Sequence, residues 1–584
     1  VIPLVALKSF VTRSRFDYHY VHQTLRGEQN LRTQTVVDAI ADDYFDRYLL
    51  LNPLAATYLG VEGTHNSFPD LSPDGLAEMS ALRRRTLASL EGAEGADSVD
   101  RVTIAALRES LSVAEELRSA GREDSLLRNI ASPVQEVREI FDLMPKQSAD
   151  DWSAIATRMS RVPEVLHGYA RSLHEASDRG DISPRRQIIA VVQQLSRNGG
   201  QGGVFATLVE SAPQSLAQSL RTDLLKAAAS AREACYDLAE FLSDNLLPTA
   251  SDRDAVGIDV YKLHSRASLG TVIDLAETYE WGQAELARIT AEMIQLGDKI
   301  LPGASLREVH SFLDADETRL IRGRGALVEW MQSKTDIAVE ACAGTHFDIP
   351  HALRVIECGI SPGGTGAITY TPPTEDFERP GRMWWDLPDG VDEFSTWRQL
   401  TTVYHEGVPG HHLQAAHALS RVDELNRWRR IGSWVSGHGE GWALYGEQLM
   451  AEIGFLGDPA EKLGMLDGQS MRAARVVLDI GIHCNFEAPA EMGGGSWTYA
   501  KAHRFLAAHC SRDSKTLQFE IERYLGWPGQ APAYYVGKRL WMELRKESAL
   551  MHGSKFELRK FHKTALDVGS VGLDVMRQAV LETL

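Results

Sequence analysis

Apolar residues recur at helical spacing along most of this chain. The clearest runs are Val36 to Leu51, Ser215 to Leu246 and Thr271 to Leu296. Ala, Leu, Glu, Arg and Gln dominate them, which suits helix. One region alternates instead. Residues 367–371 read as a short strand and 381–385 as its hairpin mate, with turn signals in Pro372-Pro373 and Arg379-Pro380-Gly381. The pattern predicts a mainly α protein with one small β-sheet. No repeat or low-complexity linker divides it. A chain of 584 residues exceeds a usual single core. We therefore expect one bilobed domain over 36–584, with residues 1–35 as a poorly ordered extension. Gly199-Gly200-Gln201-Gly202-Gly203 is the most flexible interior stretch and reads as a loop or hinge between two halves.

Within the helical pattern, His405-Glu406-Gly407-Val408-Pro409-Gly410-His411-His412 carries candidate chemistry. In H-E-x-x-H, two histidines one turn apart bind zinc and the glutamate acts as general base. Here Pro409 occupies the i+4 position, and histidines come at i+6 and i+7. On an ideal helix His411 lies about 240° round from His405, and His412 about 10.5 Å along the axis. A two-residue bulge at Pro-Gly would make His411 the equivalent of i+4. The bland reading is a helix-breaking turn with incidental surface histidines.

A second helical segment, residues 440–449, changes that balance. Glu440 and Glu447 are seven apart and share a face. Two histidines and a glutamate are an established zinc set with one place left for water. Glu440 is the expected third ligand, and Glu447 the carboxylate that orients a ligand histidine. Arg472, Arg475, Asp479 and His483 then form one polar stripe on an amphipathic helix. The stripe either lines a cleft, with Arg475 receiving a substrate carboxylate, or forms a buried interhelical ion network. The network is favoured for Arg472, and Arg475 is open.

Charge and cysteine usage limit the partners. Lys+Arg 61 against Asp+Glu 80 gives a net charge of −19, without the clustered basic footprint that nucleic acid requires. No apolar stretch reaches the ~18 residues of a membrane span. Ile2 to Leu7 is too short for a secretory core, and its basic residues follow it. Five scattered cysteines without CxxC spacing read as free thiols, which points to the cytoplasm.

Tyr404 to Gln414 and Glu440 to Tyr445 resemble the signatures of the bacterial family labelled domain of unknown function 885. So do Asn52 to Gly60, Arg472 to His483 and Trp527 to Gly537. The resemblance covers roughly residue 37 to the C-terminus. It implies a bilobed, helical, zincin-like peptidase fold with a deep central cleft and a small sheet beside the active site. Taq-type metallocarboxypeptidases and the thimet oligopeptidase and angiotensin-converting-enzyme groups are the implied relatives. Their uninterrupted H-E-x-G-H aligns with Gly410-His411, which again selects His411 over His412. Their tyrosine-rich segment near the chain end is similar to Ala533-Tyr534-Tyr535-Val536-Gly537. This implies an oxyanion donor in Tyr534, with Tyr535 in reserve at the substrate, although a core aromatic pair explains the segment equally well.

The resulting expectation is a zinc-dependent peptidase, of carboxypeptidase or oligopeptidase type, hydrolysing short peptides. One Zn²⁺ per chain would be bound by His405, His411 and Glu440. Glu406 would be the base, and Tyr534 with His483 would face the oxyanion. Two rivals stand beside it: a zinc hydrolase of a small non-peptide amide, and a metal-free ligand-binding descendant. A homodimer is left open.

Overall fold

The computed structural model describes residues 32–584 except 62, 64, 362–367 and 388–389. Most of the extension expected over 1–35, and Gly363 to Gly366 upstream of the first expected strand, lie wholly or partly outside the described residues. From Arg32 the chain is tied down, because its guanidinium bonds Asp38, Asp97 and Asp100.

Among the described residues the protein is mainly helical, with two small sheets. The expected runs are helices Val36–Leu51, Gln218–Phe241 and Leu275–Ile300. Their starts follow local chemistry. Thr35 caps the first through a reciprocal box with Asp38, and Asp274 caps the third. Two large hydrophobic cores result, one built from residues within 54–250 and the other mainly from residues beyond 260 with the first helices.

The Gly199–Gly203 hinge is not what the structure contains. Helices Arg185–Gly199, Val204–Glu210 and Gln218–Phe241 flank or follow that stretch, and all three bury side chains in the same core. The glycines make a tight turn inside one lobe. A Cβ on Gly203 would meet the Asn198 carbonyl oxygen at 2.2 Å.

Strands β1 (Leu320–Arg322) and β5 (Glu393–Ser395) form an antiparallel pair. The other sheet has the order β2-β4-β3, with β2 Ile356–Ser361, β3 Ile368–Thr371 and β4 Gly381–Asp386. The expected hairpin is present, with Ile368 opposite Trp385 and Thr371 opposite Arg382. The parallel partner β2 was not expected. Met383, Trp385 and Ile356 bury one face of this sheet against Leu327 and Met331 of helix Arg324–Cys342.

Helix Pro459–His483 runs through the larger core and is buried on nearly every side. Polar groups on such a helix need internal partners, because leaving them unmet in a dry interior is costly. No helix among the described residues is long and apolar enough to cross a membrane.

Candidate metal centre

Helix Thr396–Glu406 ends at Glu406, and helix His411–Ser420 begins at His411. A turn over 407–410, with a cis Val408–Pro409 peptide, replaces the expected bulge in one continuous helix. The hydrogen-bond ladder nevertheless carries the register across. The Gly410 N–H donates to the Tyr404 carbonyl oxygen at 3.0 Å, six residues back where a helix would use four. Two residues are skipped, so His411 takes the place of i+4. The four-residue step resumes with Gln414 N–H to Gly410 O at 3.2 Å. Only glycine fits at 410, since a Cβ there would lie 1.9 Å from the His405 carbonyl oxygen.

The register brings three groups to one point. The Glu440 carboxylate Oε2 lies 3.3 Å from His405 Nε2 and 3.5 Å from His411 Nε2. One ligand atom from each residue falls within 4.8 Å of the others. Glu440 Oε2 is buried without a hydrogen bond, an acceptor aimed between two imidazole nitrogens. Burial opposes its charge, yet the two histidines hold Glu440 well below the usual carboxylate range. Two imidazole nitrogens and a carboxylate oxygen are a donor set that fits zinc.

Glu447 fixes the orientation of His405. Its Oε1 lies 2.8 Å from His405 Nδ1, and Thr401 Oγ1 donates to Oε2 at 2.5 Å. Nδ1 must donate to a carboxylate, so Nε2 is the ring nitrogen that faces Glu440 and would offer its lone pair once a metal displaces its proton. Burial works against a charge on His405, but Glu440 and Glu447 push its pKa up to about 9. The same two carboxylates would favour a metal cation in the place of that proton. Glu406, also buried, follows His405 at the end of the same helix.

His412 is held elsewhere. Its Nε2 donates to the Leu353 carbonyl oxygen at 2.9 Å, so Nδ1 accepts from the Tyr370 hydroxyl at 2.9 Å. Burial lowers its pKa to about 4, in keeping with a neutral ring. Gly381 on β4 makes the room, since a Cβ there would meet His412 Nδ1 at 2.5 Å.

Tyr534 and Glu440 lie on two helices that cross closely. Helices Ser436–Glu452 and Gln530–His552 meet at Gly441 and Gly537, where a Cβ on Gly441 would lie 2.5 Å from the Gly537 carbonyl carbon. Glu440 neighbours one side of that crossing and Tyr534 the other. Burial and then the Glu440 carboxylate push the Tyr534 hydroxyl pKa up, while Arg523 and Arg475 pull it down. Tyr535 points away, with its hydroxyl on Glu285 at 2.9 Å and its ring stacked on Trp281 at 5.5 Å.

Residues 53–580 match the model of a family described as a bacterial protein of unknown function, DUF885. The chain belongs to the DUF885 family. None of the curated proteins matches it. Among the solved structures that match, two are similar over nearly the whole chain. One is a putative lipoprotein from Colwellia psychrerythraea, with a TM-score of 0.80 at 21% identity, covering 94% of this chain and 98% of that one. The other is a putative lipoprotein of unknown function from Shewanella oneidensis, with a TM-score of 0.70 at 17% identity, covering 94% and 100%. At these identities the likeness is one of fold.

In this DUF885 chain the polar stripe leads away from the cluster. Arg472 lies 4.0 Å from Glu447, whereas His483, eleven residues on, is about 16 Å further along the axis. His483 is fully enclosed: Nε2 donates to the Tyr524 carbonyl oxygen at 3.0 Å and Nδ1 accepts from Val256 N–H at 3.4 Å. Both ring nitrogens are engaged, so it cannot donate to an oxyanion. Asp479 accepts from the Tyr261 hydroxyl and the Gly529 N–H, each at 2.7 Å. Arg475 donates to the Tyr524 hydroxyl at 2.9 Å and to Glu520 at 3.0 Å. The sequence reading missed Tyr370, Trp442, Glu520, Arg523 and Tyr524. Trp434 was missed too; its ring lies 6.1 Å from that of His411 and is 57% exposed. Only Trp442 had a sequence signal, because it sits on the helix turn between Glu440 and Glu447.

Proposed function

We propose that this DUF885 chain is a zinc-dependent amide hydrolase with a zincin-like peptidase fold, acting on short peptides in a deep cleft. One Zn²⁺ per chain would be held by His405, His411 and Glu440. The observation that carries this reading is the convergence of His405 Nε2, His411 Nε2 and the unbonded Glu440 Oε2. When bound, zinc acidifies water and polarises a carbonyl.

The chain's own residues supply the rest. Glu406 takes the proton from the attacking water and returns it to the leaving amine. Tyr534, whose pKa is raised by burial and Glu440, stays protonated and donates to the oxyanion. Glu447 and Thr401 keep His405 in the ligating tautomer. The five unpaired cysteines accord with the reducing cytoplasm.

Metal analysis of purified protein and a peptide panel assayed with wild type and Glu406→Gln test the reading. We expect one zinc per chain and a fall in kcat of about 10²–10⁴-fold in the variant. A fully active Glu406→Gln protein would sink it.

A further inference from the structure

Trp434 stands beside the candidate metal cluster, and the hydrolytic scheme leaves it unused. Its ring centre lies 6.1 Å from that of His411, yet 57% of the residue is exposed. Gly439, the residue before Glu440, leaves space for this ring, since a Cβ there would meet the indole at 2.3 Å. The indole is thus seated against both elements that carry the candidate ligands.

Trp434 is also one wall of a cavity of about 210 Å³. That is below the ~300–1,000 Å³ of a site for a whole drug-sized ligand, and it suits a single side chain. Tyr44, Phe45, Tyr48 and Trp428 line it too. A turn of π-helix, Trp428–Gly432, leads into this wall, and the Ser433 N–H donates to the Trp428 carbonyl oxygen at 2.8 Å, five residues back. Gly432 admits the Phe45 ring, which a Cβ there would meet at 2.6 Å.

Charge is cancelled at the cavity. Among its lining residues only Glu109 and Arg266 are charged. They close on each other through two bonds of 2.7 Å, and Arg266 gives a further donor to Glu116 at 2.9 Å. A paired fork of this kind leaves no net charge for an incoming ion, which would lose its water without gaining a partner. The aromatic walls instead favour an uncharged ring, packed offset or edge-on. An extended chain advances ~3.3–3.6 Å per residue, so the distance from His411 to Trp434 is less than two residues. A peptide carbonyl held at the cluster brings an adjoining side chain within reach of Trp434.

We propose that the cavity walled by Trp434 receives an uncharged aromatic side chain of the substrate, next to the scissile amide. The proposal rests on the hydrolase reading and gives that site its side-chain preference.

Dipeptides whose single amide is reduced to an amine have no bond to hydrolyse and serve as probes. Forms containing phenylalanine, lysine, glutamate or a second alanine, joined to alanine in either order, are titrated into purified wild type by calorimetry. In one order the phenylalanine form should bind about tenfold or more tightly than the dialanine form. The lysine and glutamate forms should bind no more tightly than dialanine. Trp434→Ala should bring the phenylalanine-to-alanine ratio below twofold, with dialanine binding, metal content and melting temperature unchanged. A general structural defect would weaken both forms alike. If that variant does not fold, Ala267→Phe, which narrows the cavity from helix Ile258–Leu269, replaces it, and a loss of at least threefold in the ratio is expected. A wild-type ratio below twofold in both orders, a charged form that binds more tightly than phenylalanine, or a ratio unchanged in the variant used would overturn the proposal. Ordinary peptides separate the two readings. An aromatic preference in binding, with no hydrolysis of any peptide, removes the hydrolase reading and leaves the cavity. Equal kcat/KM for aromatic, small and charged peptides removes the cavity's role alone.

Discussion

The Trp442 indole N–H donates to the Pro409 carbonyl oxygen at 2.7 Å, inside a fully buried contact. The bond ties the helix bearing Glu440 to the turn that separates His405 from His411. Two ligand-bearing elements thus share one fastening that is not itself a ligand.

Trp442→Phe keeps the aromatic packing and removes the donor. The stranded Pro409 oxygen should cost about 1–3 kcal/mol of stability, read by denaturant unfolding. Zinc affinity, read by competition with a chelator, should fall with it. A variant as stable and as tightly metallated as wild type would show that the fastening is idle.

His411 and His412 make opposite predictions despite being neighbours. His411→Ala should abolish stoichiometric zinc. His412→Ala should retain zinc and instead lower the melting temperature, because it frees Tyr370 and Leu353 from their bonds. Metal analysis of the two variants decides, and loss of zinc from both would refute the assignment.

Glu447 touches no candidate metal position, yet it sets the tautomer of His405. Glu447→Gln should weaken zinc binding about 10–100-fold. Unchanged affinity in a chelator titration would mean that His405 is oriented by its backbone alone.

Asp479 gives a pH prediction remote from the metal cluster. Burial raises its pKa from 3.8 to about 7, against the bonds from Tyr261 and Gly529. Between those values the native state holds a proton that the unfolded chain releases. Stability from this group is therefore intact at low pH and falls as pH rises through the window, by at most about 1.4 kcal/mol per unit. Asp479→Asn can still accept from Tyr261 and Gly529 but does not titrate. Urea unfolding at pH 5 and pH 8 should show a larger loss for wild type than for the variant, and equal losses would contradict the shift.

The legible parts of this protein were those set by local spacing. The seven-residue step from Glu440 to Glu447 placed both carboxylates on His405, one at each ring nitrogen. Helix periodicity located the long helices to within a few residues. Spacing failed where the third dimension intervened. His483 shares a helical face with Arg472, but that face runs along the helix for about 16 Å and leaves the site behind. Tyr535 differs from Tyr534 by one residue, and so by about 100° of helix rotation, which sends it to Glu285. Strand β2 does alternate, with Ile356, Cys358 and Ile360 on the packed face, but its parallel pairing with β4 is a long-range choice that local spacing does not show.

At the turn before His411, residue number and structural position part company. The Gly410-to-Tyr404 bond closes the ladder as though Val408-Pro409 were a side loop, so the distance between the two histidines does not depend on how many residues that loop contains. Pattern searches keyed to a fixed count between ligands will pass over chains of this kind. Counting bonds instead of residues recovers the pair.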